Sequence, residues 1–232
     1  MGIFVLVHGA WGGAQTWRTV RPLLWEAGHQ VFTPSLTGIG EREHLTGPQV
    51  SLTTHIDDVV NTIRFEGLDD IVLLGFSYGG MVVTGALEHV ADRVRELVYL
   101  DAFLPNDGQS AVDLVGGRAP GESPVPWAVA GIPREFEDPA EAEFHTPRRS
   151  LQPIRTLTEK VRLLRPVEDH PFGRTYVKAL GDPPGPAGSD VFYDAAARVR
   201  DDPRWRYVES TSNHMIPQNR PRELADILLP LA

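Results

Sequence analysis

The sequence contains no cysteine, which removes disulfides, thiolate metal sites and a cysteine nucleophile from consideration together. It has no apolar stretch approaching the about 20 residues that cross a bilayer. The N-terminal apolar run, Ile3 to Val7, is five residues long and has no basic leader before it. These absences lead us to expect a soluble, cytoplasmic protein with no membrane attachment. Basic residues are also in deficit, with 22 Lys and Arg against 31 Asp and Glu and a net charge of −9. Apart from Pro147-Arg148-Arg149 they are scattered, so no cationic stripe exists to track phosphates and nucleic acid is not an expected partner. Internal repeats and low-complexity tracts are absent as well, and the acidic stretch Glu135 to Glu143 reads as a solvated face.

What is present is enough for one core: 232 residues, 41% of them hydrophobic, read as a single domain spanning 1–232. Ile3 to Val7 is a continuous run rich in branched residues, the pattern of a strand buried on both faces of a parallel sheet. Similar runs at Gln30 to Thr33, Ile71 to Gly75, Leu97 to Leu100, Arg174 to Leu180 and Trp205 to Glu209 bring the strands to about six. Helical patterns alternate with them at Trp17 to Glu26, Thr54 to Phe65, Tyr78 to Val90, Ser189 to Arg200 and Pro221 to Leu231. That alternation predicts an α/β fold with a mostly parallel sheet flanked by helices. From about 105 to 171 the rhythm breaks into a segment dense in Pro and Gly, with one weaker helical piece from Ser150 to Leu164. An insertion of that length reads as a cap over a site, with Trp127, Phe136 and Phe144 to bury.

The segment Ile71-Val-Leu-Leu-Gly-Phe-Ser-Tyr-Gly-Gly80 joins an apolar strand to a helical pattern through Gly75-x-Ser77-x-Gly79. A nucleophile elbow requires this order: a sharp turn with strained backbone at the serine, and flanking glycines where side chains would strike neighbouring backbone. Ser77 is therefore the candidate nucleophile. A serine hydroxyl needs a base within hydrogen-bond reach. Among eight histidines, His214 stands after the last predicted strand and before the final helix, where a base of this fold belongs. His29, His55 and His89 fall in or beside helices and read as surface residues, and His145 and His170 fall in or beside the cap. For the acid that orients the imidazole, both Asp182, after Arg174 to Leu180, and Asp101, after Leu97 to Leu100, follow a predicted strand, and Asp182 is preferred. The loop His8-Gly9-Ala-Trp-Gly-Gly-Ala14 after the first strand offers backbone N–H groups to an oxyanion, the expected pair being those of Ala10 and Tyr78. Trp11 and Trp127 are expected to line an apolar pocket. The histidines show no ligand spacing, so no metal and no organic cofactor is expected.

Beyond the elbow, the chain resembles the compact α/β-hydrolases typified by plant methylesterases and hydroxynitrile lyases and their bacterial esterase-like relatives. The resemblance rests on Phe4-Val-Leu-Val-His8-Gly9-Ala-Trp, Trp17, Gly28-His-x-Val31, Gly75-Phe-Ser77-Tyr-Gly79-Gly80-Met81, and His214-Met215 followed by Pro221-x-Glu-Leu224. It implies an α/β-hydrolase fold with a cap, and a serine hydrolase acting on a small to medium, largely apolar carboxylic ester through an acyl-enzyme. In that family the aspartate of Tyr176-Val-x-x-x-x-Asp182 is the triad acid. The Pro-rich turn after Asp182 is a departure, and Leu-Asp101-Ala-Phe resembles the bacterial members, so Asp101 stays open. Hydroxynitrile lyases carry threonine and lysine where this chain has Gly9 and Met215, which points to hydrolysis. A lyase or cyclase using the same serine and histidine, or a non-catalytic ligand-binding homologue, are the alternatives.

Overall fold

The computed structural model describes residues 1–117, 121–183 and 190–232. Pro120 in the cap segment, Pro184 in the Pro-rich stretch after Asp182 and Ser189, the expected start of a helix, lie outside the described residues. The principal strands are β1 (Ile3–Val7), β2 (Gln30–Phe32), β3 (Ile71–Phe76) and β4 (Val94–Leu100), the two-residue strands β5 (Ala128–Val129) and β6 (Gln152–Pro153), then β7 (Gly173–Ala179) and β8 (Arg206–Ser210). Six of them form one sheet in the order β2-β1-β3-β4-β7-β8, and each neighbouring pair is parallel. Strands buried on both faces need no polar alternation, which is why β1 and β3 read as unbroken apolar runs.

The helices are α1 (Val20–Glu26), α2 (Leu52–Phe65), α3 (Gly79–Val90), α4 (Ala111–Leu114), α5 (Pro139–His145), α6 (Ile154–Thr158), α7 (Asp190–Val199), α8 (Ile216–Asn219) and α9 (Pro221–Leu228). Local chemistry sets several ends. Ser51 caps α2 by accepting the Thr54 N–H while the Thr54 hydroxyl accepts the Ser51 N–H. Pro221 opens α9, where its missing N–H has no helical partner to lose.

Side chains alternate across the pleat and build two cores. Phe4, Leu6, Leu74, Phe76, Val98 and Leu100 pack with Trp17 and with Leu24 of α1 and Leu224 and Leu228 of α9. On the other face Val5, Val7, Leu73, Leu97, Tyr99 and Tyr176 pack against α2, α3 and α7. The resulting sandwich of helices around a parallel sheet is the α/β-hydrolase architecture. The chain runs from β1 outward to β2 and then crosses to β3 on the opposite side of β1. Ligand crevices of open parallel sheets form at such a reversal, outside the carboxyl ends of the strands.

Between β4 and β7 lie α4, the antiparallel β5–β6 pair, α5 and α6. The helical piece expected from Ser150 to Leu164 is only the five residues of α6, because the pairing of β6 with β5 claims Gln152 and Pro153 first. The acidic stretch is not wholly solvated: Glu141 is buried and pairs with Arg18. His55 is another departure, lying fully buried where a surface residue was expected, since it faces inward from α2 between Thr37 and Tyr78. Among the described residues no helix is long and apolar enough to cross a membrane.

Candidate active site

Ser77 follows β3 with φ of 54°, in the left-handed region that a residue with a side chain rarely adopts. The turn is held from three sides: Ser77 N–H donates to the Leu100 carbonyl, and the Ser77 carbonyl accepts from Gly80 and Phe103. The glycines make this approach possible. A Cβ on Gly75 would lie 2.6 Å from the Gly79 carbonyl oxygen, one on Gly79 2.7 Å from that of Val7, and one on Gly80 2.1 Å from that of Phe103. Backbone therefore passes where any other side chain would sit, and the serine oxygen is turned out above the sheet.

His214 stands in the loop between β8 and α8, its ring tilted against Phe76 at 4.9 Å and stacked on Phe192 at 4.8 Å. Its Nε2 is 3.0 Å from Ser77 Oγ, and its Nδ1 is 2.7 Å from Asp101 Oδ2. With Asp101 accepting at Nδ1, the ring proton sits there and Nε2 presents its lone pair to the serine hydroxyl. Burial lowers the pKa of the imidazole, and the charge of Arg134 lowers it further against the opposing pull of Asp101, so the ring is held neutral.

Asp101 occupies the position that sequence reasoning preferred for Asp182. It lies immediately after β4 with φ of 39°, its N–H tied to the Val177 carbonyl, which swings the carboxylate toward the neighbouring strands. Oδ1 accepts from the Lys178 ammonium at 2.8 Å and the Ala179 N–H at 3.1 Å, leaving Oδ2 for the imidazole. Burial alone would raise its pKa, but the hydrogen bond from His214 and the charge of Lys178 outweigh burial and hold it below the ordinary carboxylate value. Asp182 comes three residues beyond the end of β7, and its Oδ2 accepts the backbone N–H of His214 at 2.7 Å. It fixes the loop, not the ring. The Tyr193 hydroxyl in turn donates to the Asp182 carbonyl.

Lys178 was not anticipated. Its ammonium is buried against Asp101, also donates to the Ala179 carbonyl, and stands 4.0 Å over the Tyr193 ring. A lysine between Val177 and Ala179, in a run expected as a buried strand, was the available signal, since a buried cation demands an anion beside it.

The first loop bends at Trp11, with φ of 61°. Its N–H donates to Gln152 Oε1, its carbonyl accepts from Ser150, and its indole N–H donates to the Val129 carbonyl. Trp11 is thus fastened to the β5–β6 segment on both sides. His8 braces the same loop: its Nε2 accepts the Leu36 N–H, leaving Nδ1–H for the Gly9 carbonyl. Tyr78 begins the turn into α3, and its hydroxyl donates to Nδ1 of His55, whose other nitrogen donates to the Thr37 carbonyl. Among the described residues, the N–H groups of Ala10 and Tyr78 have no internal acceptor.

These groups meet in a cleft with an empty volume of about 500 Å³, including the part open to solvent. Ala10, Trp11, Phe76, Ser77, Phe136, His214 and Met215 line it together with Arg134 and Arg149 from the segment before β7. Trp127, expected as a pocket residue, does not line this cleft; its carbonyl accepts from Ile154 within the β5–β6 segment. Among the described residues no group of three or more His, Asp or Glu stands where a metal ion could be held.

Comparison with known proteins agrees with this geometry. Residues 4–227 match the Alpha/beta hydrolase family. This chain belongs to that family. It is similar over its whole length and the relative's whole length, at 37% identity, to a carbendazim hydrolyzing esterase of Nocardioides sp.. It is 31% identical to methylesterase 8 of Arabidopsis thaliana over 70% of this chain and 60% of that one. Among solved structures, an extracellular α/β-hydrolase from a Paenibacillus species superposes with a TM-score of 0.80 at 25% identity, covering 100% of this chain and 99% of the other. By this kinship the chain is an enzyme of the carboxylesterase type.

Proposed function

We propose that this α/β-hydrolase cleaves a small-molecule carboxylic ester by transferring the acyl group to Ser77. His214 Nε2 takes the hydroxyl proton as Oγ attacks the carbonyl, and Asp101 keeps the tautomer and stabilises the imidazolium that forms. The Ala10 and Tyr78 amides receive the oxyanion, with no internal bond to break first. His214 then returns the proton to the leaving alcohol, and water attacks the acyl-enzyme with the same histidine as base. The observation that carries the reading is the continuous chain from Ser77 to His214 to Asp101 at the wall of a cleft. Under this reading residues 1–232 act as one domain, with 105–171 as the cap, and the chemistry calls for no cofactor. Trp11, Phe76, Phe136 and Met215 would hold the apolar body of a small to medium substrate. Met215 also has no charge to offer a departing cyanide, which favours hydrolysis over lyase chemistry.

The test is hydrolysis of short and medium p-nitrophenyl esters by wild type and Ser77→Ala. We expect turnover by wild type and a loss of at least about 10⁴-fold in kcat for the variant. Turnover that survives in Ser77→Ala overturns the acyl-enzyme. Release of aldehyde and cyanide from a cyanohydrin, with no ester consumed, would replace hydrolysis by lyase chemistry.

A further inference from the structure

Among the described residues, two arginines face the cleft and no acidic side chain lines it, in a chain whose net charge is −9. Arg134 is partly buried, and among the described residues its guanidinium has no hydrogen-bond acceptor or carboxylate within bonding distance. The acids whose charge reaches it, Asp182 and Asp101, spend their carboxylates elsewhere. Asp182 accepts from the His214 backbone, and Asp101 from His214, Lys178 and Ala179. The backbone around Arg134 is fixed all the same. The Glu135 carbonyl accepts from the Asn213 amide, the Glu137 N–H donates to Asn219 Oδ1, and the Glu137 carboxylate pairs with Arg220. An unpaired cation is thus pinned to the loop that carries His214.

Arg149 is its neighbour. One amino group donates to the Ile132 carbonyl, and the guanidinium lies 5.6 Å from the Trp11 ring. The main chain makes room for it at Gly131, where a Cβ would fall 2.8 Å from the other amino group. Its pKa is pushed down to about 10, first by burial and then by the like charge of Arg134. Two guanidiniums that repel each other in a half-desolvated cleft are relieved by an anion placed between them.

We propose that Arg134 and Arg149 form an anion subsite, and that the ester cleaved at Ser77 carries a carboxylate held by these guanidiniums while its apolar body lies along Trp11, Phe76, Phe136 and Met215. This rests on the ester-hydrolase reading above. The carboxylate belongs either to the acyl half or to the alcohol half of the substrate, and matched pairs separate the two. Monomethyl against dimethyl glutarate places the charge on the acyl side. O-acetylglycolate against its methyl ester places it on the alcohol side.

Hydrolysis is followed by pH-stat. Wild type should favour the anion of at least one pair by about tenfold or more in kcat/KM, the size of one charge-assisted hydrogen bond. Arg134→Met and Arg149→Met should each bring that ratio toward one, and Arg134→Lys should keep part of it. Arg134 makes no internal bond, so Arg134→Met should melt within a few degrees of wild type, which separates recognition from folding. A ratio of one or less for both pairs in wild type, with the neutral esters turned over, overturns the subsite and leaves ester hydrolysis standing. If no ester is turned over, the hydrolase reading fails and calorimetric binding to Ser77→Ala protein decides the subsite. Binding of monomethyl glutarate or O-acetylglycolate that is lost on adding Arg134→Met supports it, and no binding of either anion overturns it.

Discussion

Exchanging each of the two aspartates for asparagine separates their roles by magnitude. In Asp101→Asn the charge that faces Nδ1 of His214 at 2.7 Å disappears. Taking the charge centres of carboxylate and imidazolium as about 4 Å apart at an effective dielectric near 20, the lost attraction is about 4 kcal/mol, or about 10³-fold in kcat. In Asp182→Asn the amide oxygen can still accept the His214 N–H, so only the charge assistance at that bond is lost. That is about 1 kcal/mol, or about fivefold. The two variants should therefore differ by at least about 100-fold in kcat on a p-nitrophenyl ester. Stability must be followed in parallel. Asp101→Asn strands the Lys178 ammonium, whose side chain is 2% exposed, and breaking such a buried pair costs about 3–5 kcal/mol. Asp101→Asn combined with Lys178→Met removes the stranded charge and should recover much of the melting temperature without recovering activity. A folded Asp101→Asn protein within tenfold of wild type, or an Asp182→Asn protein damaged as severely, would refute the assignment.

Three further outcomes are expected. Under the proposed mechanism His214 is the base and must be neutral, and burial and Arg134 lower its pKa, so the acid limb of kcat/KM against pH should fall below 6.5. Arg134→Met, by removing one of those causes, should move that limb to higher pH. His55 is held neutral by burial down to about pH 3 against a usual value of 6.5. The unfolded chain therefore binds the proton first, and stability is lost as pH falls from 6.5 toward 3, by roughly 5 kcal/mol for this group at about 1.4 kcal/mol per pH unit. Denaturant titrations at pH 7 and pH 4 check the sign, and a protein more stable at pH 4 would contradict it. Gly80→Ala places a Cβ 2.1 Å from the Phe103 carbonyl oxygen, so loss of folded protein is expected. Gly67→Ala, with φ of +65° and nothing within 4 Å, should cost only about 1 kcal/mol of backbone strain in the same melting assay.

The sheet and the elbow were legible because their causes are local. An apolar run of branched residues makes a buried strand wherever it falls, and Gly75-x-Ser77-x-Gly79 encodes a turn that few other sequences tolerate. His55 was misplaced because a histidine in a helical pattern gives no sign of which face it takes; the Tyr78 hydroxyl and Thr37 carbonyl that satisfy it come from other elements. Trp127 was misplaced for the same reason: an aromatic residue in an irregular segment packs wherever the segment's own hydrogen bonds carry it.

Chain order and turn chemistry thus suffice for six parallel strands, for Ser77 on a sharp turn and for His214 after the last strand, because each follows from neighbours a few residues away. Which aspartate meets the imidazole depends on how the chain leaves β4 and β7. Both candidates follow a strand, and only the left-handed turn at Asp101, its tie to Val177 and the Lys178 ammonium beside it aim one carboxylate at a ring 113 residues further on. The convergence of Arg134 and Arg149 on the same cleft is likewise beyond local reading. It arises where the segment before β7 folds back over Trp11 and the His214 loop, and burial and unpaired charge exist only once those distant pieces have come together.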